Sequence, residues 1–319
     1  MAFSKEEFRK SLGGHAIHAF LQGAARLAGI HPKARPATHG IKHVKDIDYA
    51  GDGEKRHLLD VYIPKDQSGP KPVVFYIHGG AFRILSKETH WSMALSYARR
   101  GYVVVSINYG LVPDHCFPSG LVDVATAYQW LVKNADKYGA DLSRLVVSGE
   151  SAGANLAMAL LIATTYERPE PFAQAVYATG VVPKAMVPMC GIFQVSDPGR
   201  FGRRKPHMPV FLRDRIDVTS QTYVPADVSG PILDFASPLE LFERGEAPSR
   251  PLPPTFLTVG TADPLLDDTR RMSKALHALG VDVEARYYRG GVHSFQAFVF
   301  QKLAKESWKH THAFLDRVI

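Results

Sequence analysis

From residue 72 onward the chain alternates short, almost continuously apolar runs with helical stretches, and this rhythm limits the folds open to it. PVVFYIH, YVVVSINY, RLVVS, KAMVPMCGIF, PTFLTVG and VDVEARYY read as strands. Between them, residues 87–100, LVDVATAYQWLVKNADKYG with Gly139 as its C-terminal cap, AGANLAMALLIATTY, and LLDDTRRMSKALHALG ending at Gly280 read as helices. A long last helix runs from about Gln296 to the C-terminus. Strands that are apolar throughout must be covered on both faces, which a parallel sheet between two helical layers provides. The expected fold class is α/β, a mostly parallel central sheet flanked by helices. Two earlier runs, IKHVKDIDY and HLLDVYI, read as strands joined through the turn signal AGDGEKR.

Two stretches break the rhythm. Residues 1–30 read as one or two amphipathic helices (Phe3, Phe8, Leu12, then Ile17, Phe20, Leu21, Ala24), followed by the Pro/Gly-rich linker HPKARPATHG. Residues 197–233 carry Pro, Gly, Arg and scattered aromatics and read as an insertion between two strands. Together the two stretches are expected to form a helical cap over the strand ends; the plainer alternative for the second is a long loop with a helix. The expected organisation is residues 1–40 as N-terminal cap helices and linker, 41–196 as the first part of a catalytic α/β core, 197–233 as the cap insertion and 234–319 as the second part of the core.

Composition excludes several classes. The formal net charge is +7, but Lys and Arg are spread along the chain. The densest cluster, Arg203, Arg204 and Lys205, has no nucleic-acid motif beside it and reads as solvated surface. Two distant cysteines, Cys116 and Cys190, form neither a disulfide framework nor a zinc site; they read as buried free thiols, consistent with a reducing compartment. The 14 histidines are scattered, and His310 and His312 point to different sides of a helix, so no metal site is expected. The N-terminus lacks the pattern of a signal peptide, and no apolar run approaches membrane-spanning length. The default location is cytoplasmic.

Within this frame GESAG, residues 149–153, sits where a strand ends and a helix opens. A sharp strand-to-helix turn tolerates only very small residues two positions to either side of its centre, and Gly149 and Gly153 supply them. The turn lifts the Ser151 hydroxyl clear of the backbone beside the unpaired N–H groups of a helix N-terminus. A serine needs a base, and the base needs an orienting acid. In this sheet type they follow in the order serine, acid, histidine, which selects Asp263 in TADPLLDD and His293 in RGGVHSF. Asp267 and Asp268 fall in the first turn of the next helix and read as complements to its dipole. His78 precedes the serine and belongs to another motif, YIHGGAF. There a glycine run after a strand lets backbone N–H groups point into a cavity, as an oxyanion requires. Gly80 and Ala81 are the expected upstream donors, Gly79 permits the turn, Ala152 completes the hole, and His78 buttresses the loop.

The chain resembles bacterial members of the hormone-sensitive-lipase-like family of α/β-hydrolases. The matching pieces are HGGAF, YGLVPDHCFPSGLVDV, GESAGAN, DFASPL, TADPLLDD and GVHSF, and the resemblance runs from about residue 40 to the C-terminus. It implies an α/β-hydrolase fold with a cap, a carboxylester hydrolase preferring short to medium acyl chains, and no cofactor. It implies Ser151, Asp263 and His293 as the triad, and Gly80, Ala81 and Ala152 as the oxyanion hole. The partner implied is a small-molecule ester, with no nucleic acid and no membrane span; a homodimer is compatible with the family. Phe82, Glu150 and Phe211 are the expected substrate contacts. Phe201, Val210, Leu212 and Tyr223 are further pocket candidates whose plainer reading is packing of the lid onto the sheet.

The departures carry their own expectations. Ala81 stands for the last glycine of HGGG, keeping the N–H while adding a methyl that crowds bulky esters. Gly110 stands for the family's arginine and Val112 for its alanine, which leaves any ion pair of that arginine open. Glu150 stands for the usual Asp or Thr and either touches a neighbouring loop or is a solvated or structural carboxylate. With His293 as base, activity is expected to fall as pH drops through roughly 6 to 7. An amidase of the same fold, such as an arylformamidase-like enzyme, would use the same triad. A receptor-like binding member would lack the catalytic histidine, which this chain has at position 293.

Overall fold

Side chains alternate across a strand, so a strand that is apolar at every position feeds two cores at once. The computed structural model describes residues 29–66, 69–204 and 210–319, with Gly23 and Leu27. Its strands are β1 (Ile41–Asp48), β2 (Leu58–Pro64), β3 (Lys71–Ile77), β4 (Val103–Ile107), β5 (Ala140–Glu150), β6 (Ala185–Met189), β7 (Thr255–Gly260) and β8 (Val283–Tyr288). They form one eight-stranded sheet in the order β1-β2-β4-β3-β5-β6-β7-β8. β2 runs antiparallel to β1 and β4, and every other neighbouring pair is parallel. In β3, Val73, Phe75 and Ile77 enter one core while Val74 and Tyr76 enter the other.

From the first strand onward, the α-helices among the described residues are α1 (Trp91–Ala98), α2 (Ser119–Asn134), α3 (Ala152–Thr165), α4 (Pro171–Ala178), α5 (Gly199–Arg204), α6 (Val210–Tyr223), α7 (Leu233–Ala236), α8 (Pro238–Arg244), α9 (Leu266–Ala278) and α10 (Lys302–Val318). One core takes Met93 and Tyr97 of α1 with Trp308 and Phe314 of α10. The other takes Leu121 and Tyr128 of α2, Leu160 of α3, Phe242 of α8 and Met272 of α9. Every residue of α3 is buried, which is why AGANLAMALLIATT shows no polar face. The chain leaves β3 towards β4 and leaves β5 towards β6, in opposite directions across the sheet. A crevice opens at the carboxyl ends of strands where such a reversal occurs.

Boundaries differ from the sequence reading where side chains compete with the helix for backbone groups. The first helix begins at Trp91 rather than near residue 87. Ahead of it the Ser86 N–H donates to Thr89 Oγ1 (3.1 Å), Thr89 Oγ1 donates to the Ser86 carbonyl (2.7 Å), and the Lys87 N–H donates to Asn108 Oδ1 (2.8 Å). The Lys87 ammonium is buried among Asp46, Asp60 and Glu88. α2 stops at Asn134, and a single 3-10 turn carries the chain to Gly139 at φ 64°. β6 ends at Met189 because Cys190 turns to φ 40°. The last helix begins at Lys302, after a 3-10 turn at Phe295–Ala297. The stretch 197–233 holds α5 and α6 between β6 and β7. The expected N-terminal helices and Lys205 fall largely outside the described residues.

Candidate active site

Ser151 is the single residue between β5 and α3, at φ 54° and ψ −116°. A non-glycine residue there costs about 1–3 kcal/mol and persists only where its surroundings leave no alternative. The flanking glycines show what fixes it. A Cβ on Gly149 would lie 2.5 Å from the Gly153 carbonyl oxygen, and one on Gly153 would lie 2.2 Å from that of Ile77. Strand, turn and helix can therefore close this tightly only with hydrogen at both positions. The Ser151 N–H donates to the Met189 carbonyl (2.9 Å), and the Asn155 amide donates to the carbonyls of Ile192 (2.8 Å) and Ala236 (2.9 Å).

Two loops past β7 and β8 bring a carboxylate and an imidazole to this serine. They are laced together by Ala262 N–H to Gly291 O (3.0 Å) and Gly290 N–H to Thr261 Oγ1 (2.9 Å). A Cβ on Gly260 would lie 1.9 Å from the Gly291 oxygen, so the contact depends on glycine. His293 Nε2 lies 2.9 Å from Ser151 Oγ, and His293 Nδ1 lies 2.9 Å from Asp263 Oδ2. Asp263 is fully buried, and its Oδ1 accepts the Leu265 N–H (2.8 Å). With Asp263 as acceptor, Nδ1 carries the imidazole proton and Nε2 is free to accept from the serine. Burial pushes His293 down, but Asp263 and, further off, Glu150 outweigh it and raise the imidazole to about 8.

The loop after β3 closes over the same strand ends. A Cβ on Gly79 would lie 2.5 Å from Glu150 Oε1, and one on Gly80 would lie 1.9 Å from the Ile84 oxygen, so both must be glycine. Gly80, Ala81 and Phe82 have φ of 121°, 56° and 57°. The Gly80 carbonyl accepts from Arg83 and Ile84 (both 2.9 Å). Among the described residues, the N–H groups of Gly80 and Ala81 donate to no protein acceptor, and Ala152 opens α3 beside them. His78 donates from Nδ1 to the Gly79 carbonyl (2.6 Å) and stacks on Tyr109 at 4.4 Å. Burial lowers its imidazole to about 3, so it is neutral and holds the loop.

Other expected site residues are placed differently. Phe82 does not face an open cleft: it is 1% exposed, and its ring lies 3.6 Å from that of Tyr223, at 10°. Glu150 is 4% exposed and accepts from His90 Nε2 (2.9 Å). Burial opposes its ionisation, but the bond to His90 and the His90 charge hold the carboxyl below the usual range, and the pair ties the end of β5 to the loop before α1. The side chains of Phe211 and Leu212 lie outside the described residues. Phe201 and Tyr223 are buried and Val210 is exposed, so two of the pocket candidates are packing residues.

Asp268 is not a dipole complement at a helix surface. It is fully buried, accepts from Arg200 Nη2 (2.7 Å) and from the Phe193 N–H (3.1 Å), and ties α5 to the segment after β6. Beside Gly110, Asp123 accepts from the Gly110 N–H (2.7 Å) and pairs with Arg56 (2.8 Å), from the turn before β2. Arg203 pairs with Asp197 (2.5 Å), as expected of surface charge. Cys116 is half-buried rather than buried. Cys190 Sγ lies within 4.8 Å of the Asp263 and His293 ligand atoms. The latter two already bind each other, and burial pushes the Cys190 thiol well up, which disfavours the thiolate a metal would need. No helix among the described residues is long and apolar enough to cross a membrane.

Comparison with known proteins points the same way as the geometry. A family model described as the alpha/beta hydrolase fold matches residues 74–297. Carboxylesterase NlhH of Mycobacterium tuberculosis is 32% identical over 251 residues, 77% of this chain and 73% of that protein. An esterase of Acinetobacter venetianus is 29% identical over 235 residues, 73% of this chain and 71% of that protein. The crystal structure of esterase LipW from Mycobacterium marinum matches with a TM-score of 0.75 at 23% identity, covering 99% of this chain and 91% of that one, a likeness of fold.

Proposed function

From the premise that the chain belongs to the α/β-hydrolase fold family, in its hormone-sensitive-lipase-like branch, and is a hydrolase, we propose that it is a serine carboxylester hydrolase acting on short- to medium-chain acyl esters. One observation carries the reading: a hydroxyl, an imidazole and a buried carboxylate in line, each contact 2.9 Å. The His293 imidazole accepts the Ser151 proton as Oγ attacks the ester carbonyl. Asp263 keeps the ring in the tautomer that can accept at Nε2 and stabilises the imidazolium that results. The N–H groups of Ala152, Gly80 and Ala81 hold the oxyanion, each donor contributing about 3–4 kcal/mol to the transition state. His293 returns the proton to the departing alcohol. It then activates water to hydrolyse the acyl-enzyme through the same hole. No step needs a cofactor. α5 and α6 act as part of a cap over the strand ends, and the Ala81 methyl narrows the acyl site.

The test is hydrolysis of p-nitrophenyl acetate, butyrate, octanoate and palmitate by the wild type and Ser151→Ala, with a formanilide alongside. Cleavage that depends on Ser151 and peaks at a short or medium ester supports the reading. Preference for the formanilide moves it to an amidase. No turnover of any substrate by folded protein overturns it.

A further inference from the structure

The loop that follows β3 holds three non-glycine residues in the left-handed region: Ala81 (φ 56°), Phe82 (φ 57°) and Leu85 (φ 75°). Such conformations are sparsely populated, and a short segment carrying three of them relaxes unless something outside it forbids the relaxation. The loop's own bonds, from Arg83 and Ile84 to the Gly80 carbonyl, fix its middle. Phe82 is fixed from elsewhere. Its carbonyl accepts the Val112 N–H (2.9 Å), and its ring lies face to face with Tyr223, the last residue of α6.

Tyr223 is itself held. Its carbonyl accepts the Phe117 N–H (2.9 Å), the Phe117 ring meets it edge-on at 5.5 Å, and it is 2% exposed. One residue earlier, Thr222 Oγ1 meets Arg83 Nη1 (3.5 Å) and the Thr222 carbonyl meets Cys116 Sγ (3.7 Å). The end of α6 is thus wedged between the strained loop and residues 111–118. Two rings lying face to face at 3.6 Å and 10° leave Phe82 no space to move towards α6, so the contact fixes its position by close packing.

We propose that Tyr223 is a positioning residue: by stacking on Phe82 it clamps the loop that carries the Gly80 and Ala81 donors, so the inserted helix α6 sets the geometry of the oxyanion site. This deepens the hydrolase mechanism proposed above and rests on it. The ring acts on the transition state through the loop, and its removal lowers kcat rather than substrate affinity. Without the stack, Ala81 and Phe82 turn towards negative φ, and the loop no longer holds the N–H groups of Gly80 and Ala81 on the oxyanion.

The experiment compares wild type, Tyr223→Ala, Tyr223→Phe and Ser151→Ala on p-nitrophenyl acetate, whose acyl group is too small to need a deep pocket, and follows unfolding in parallel. The clamp predicts that Tyr223→Ala loses about 30-fold or more in kcat with KM within about threefold, since losing one full donor costs about 10²–10³-fold. Tyr223→Phe keeps the stack and returns kcat to within about threefold of wild type. An unchanged kcat in folded Tyr223→Ala, or a loss confined to KM, overturns the proposal: the ring would then be packing or pocket wall. Should Tyr223→Ala not fold, Phe82→Leu removes the same stack from the loop side and is judged by the same two numbers. Ser151→Ala separates the two ideas. If it keeps wild-type turnover, the reading of the site fails; if it is inactive while Tyr223→Ala is not impaired, only the clamp fails.

Discussion

Two turns meet at this site, and they are stabilised in opposite ways. The turn at 149–153 is fixed by its immediate neighbours: a strand before it, a helix after it and two glycines that let β3 and α3 close on it. The loop at 79–85 also needs its glycines, yet the left-handed Phe82 is held by a ring from a helix inserted late in the chain. The first turn is locked by close backbone contacts with the neighbouring strands, while the second depends also on a side chain from a remote helix. On the proposed mechanism, the nucleophile would sit on the rigid turn and the oxyanion donors on the dependent loop, which would give α6 influence over rate without contact with Ser151.

The largest test of this contrast is chemical. Ser151→Ala should lower kcat by about 10⁶-fold with an unchanged far-UV spectrum and melting temperature, because the turn does not need the hydroxyl to form. Asp263→Asn should cost about 10⁴-fold, since an amide no longer fixes the accepting tautomer; turnover near wild type there would dissociate Asp263 from His293. Acidification comes next. The base must be neutral, and Asp263 raises His293 to about 8. The acid limb of kcat/KM should therefore lie near 8 rather than between 6 and 7, leaving about a hundredth of the plateau at pH 6. A limb at 6.5 would show that the carboxylate field at His293 is weaker than the geometry implies.

Two smaller tests address the turns themselves. Gly153→Ala puts a methyl 2.2 Å from the Ile77 oxygen and should cost about 2 kcal/mol or more of stability, read as a lower denaturant midpoint. Ala81→Gly removes a left-handed alanine and should change stability by no more than about 1 kcal/mol, in the favourable direction, with a melting shift of about 2 °C. Equal effects from the two would erase the distinction drawn between the turns.

What the sequence revealed follows the same division. The alternation of apolar strands and helices, the glycine spacing around Ser151, and the places of Asp263 and His293 in loops after strands are local patterns, and local patterns can be read one segment at a time. The partners of Phe82, Glu150 and Asp268 could not be read this way. Tyr223, His90 and Arg200 lie on other elements, and neither composition nor period marks them as companions. Phe82 stands beside a glycine loop, which suggests a substrate contact, and only the fold shows its ring occupied by α6. The start of α1 departs from the apolar pattern for a related reason: Ser86, Thr89 and Asn108 side chains take backbone groups the helix would have used.

The most direct test of the account is covalent. The protein is treated with a p-nitrophenyl phosphonate ester, and each sample is followed for p-nitrophenol release, residual esterase activity and the site of added mass by peptide mass spectrometry. One phosphonyl group per chain is expected, on Ser151, with activity lost in proportion to labelling and no labelling of Ser151→Ala. Full activity in the unlabelled Ser151→Ala protein, or inactivation with the label on another residue, would contradict it.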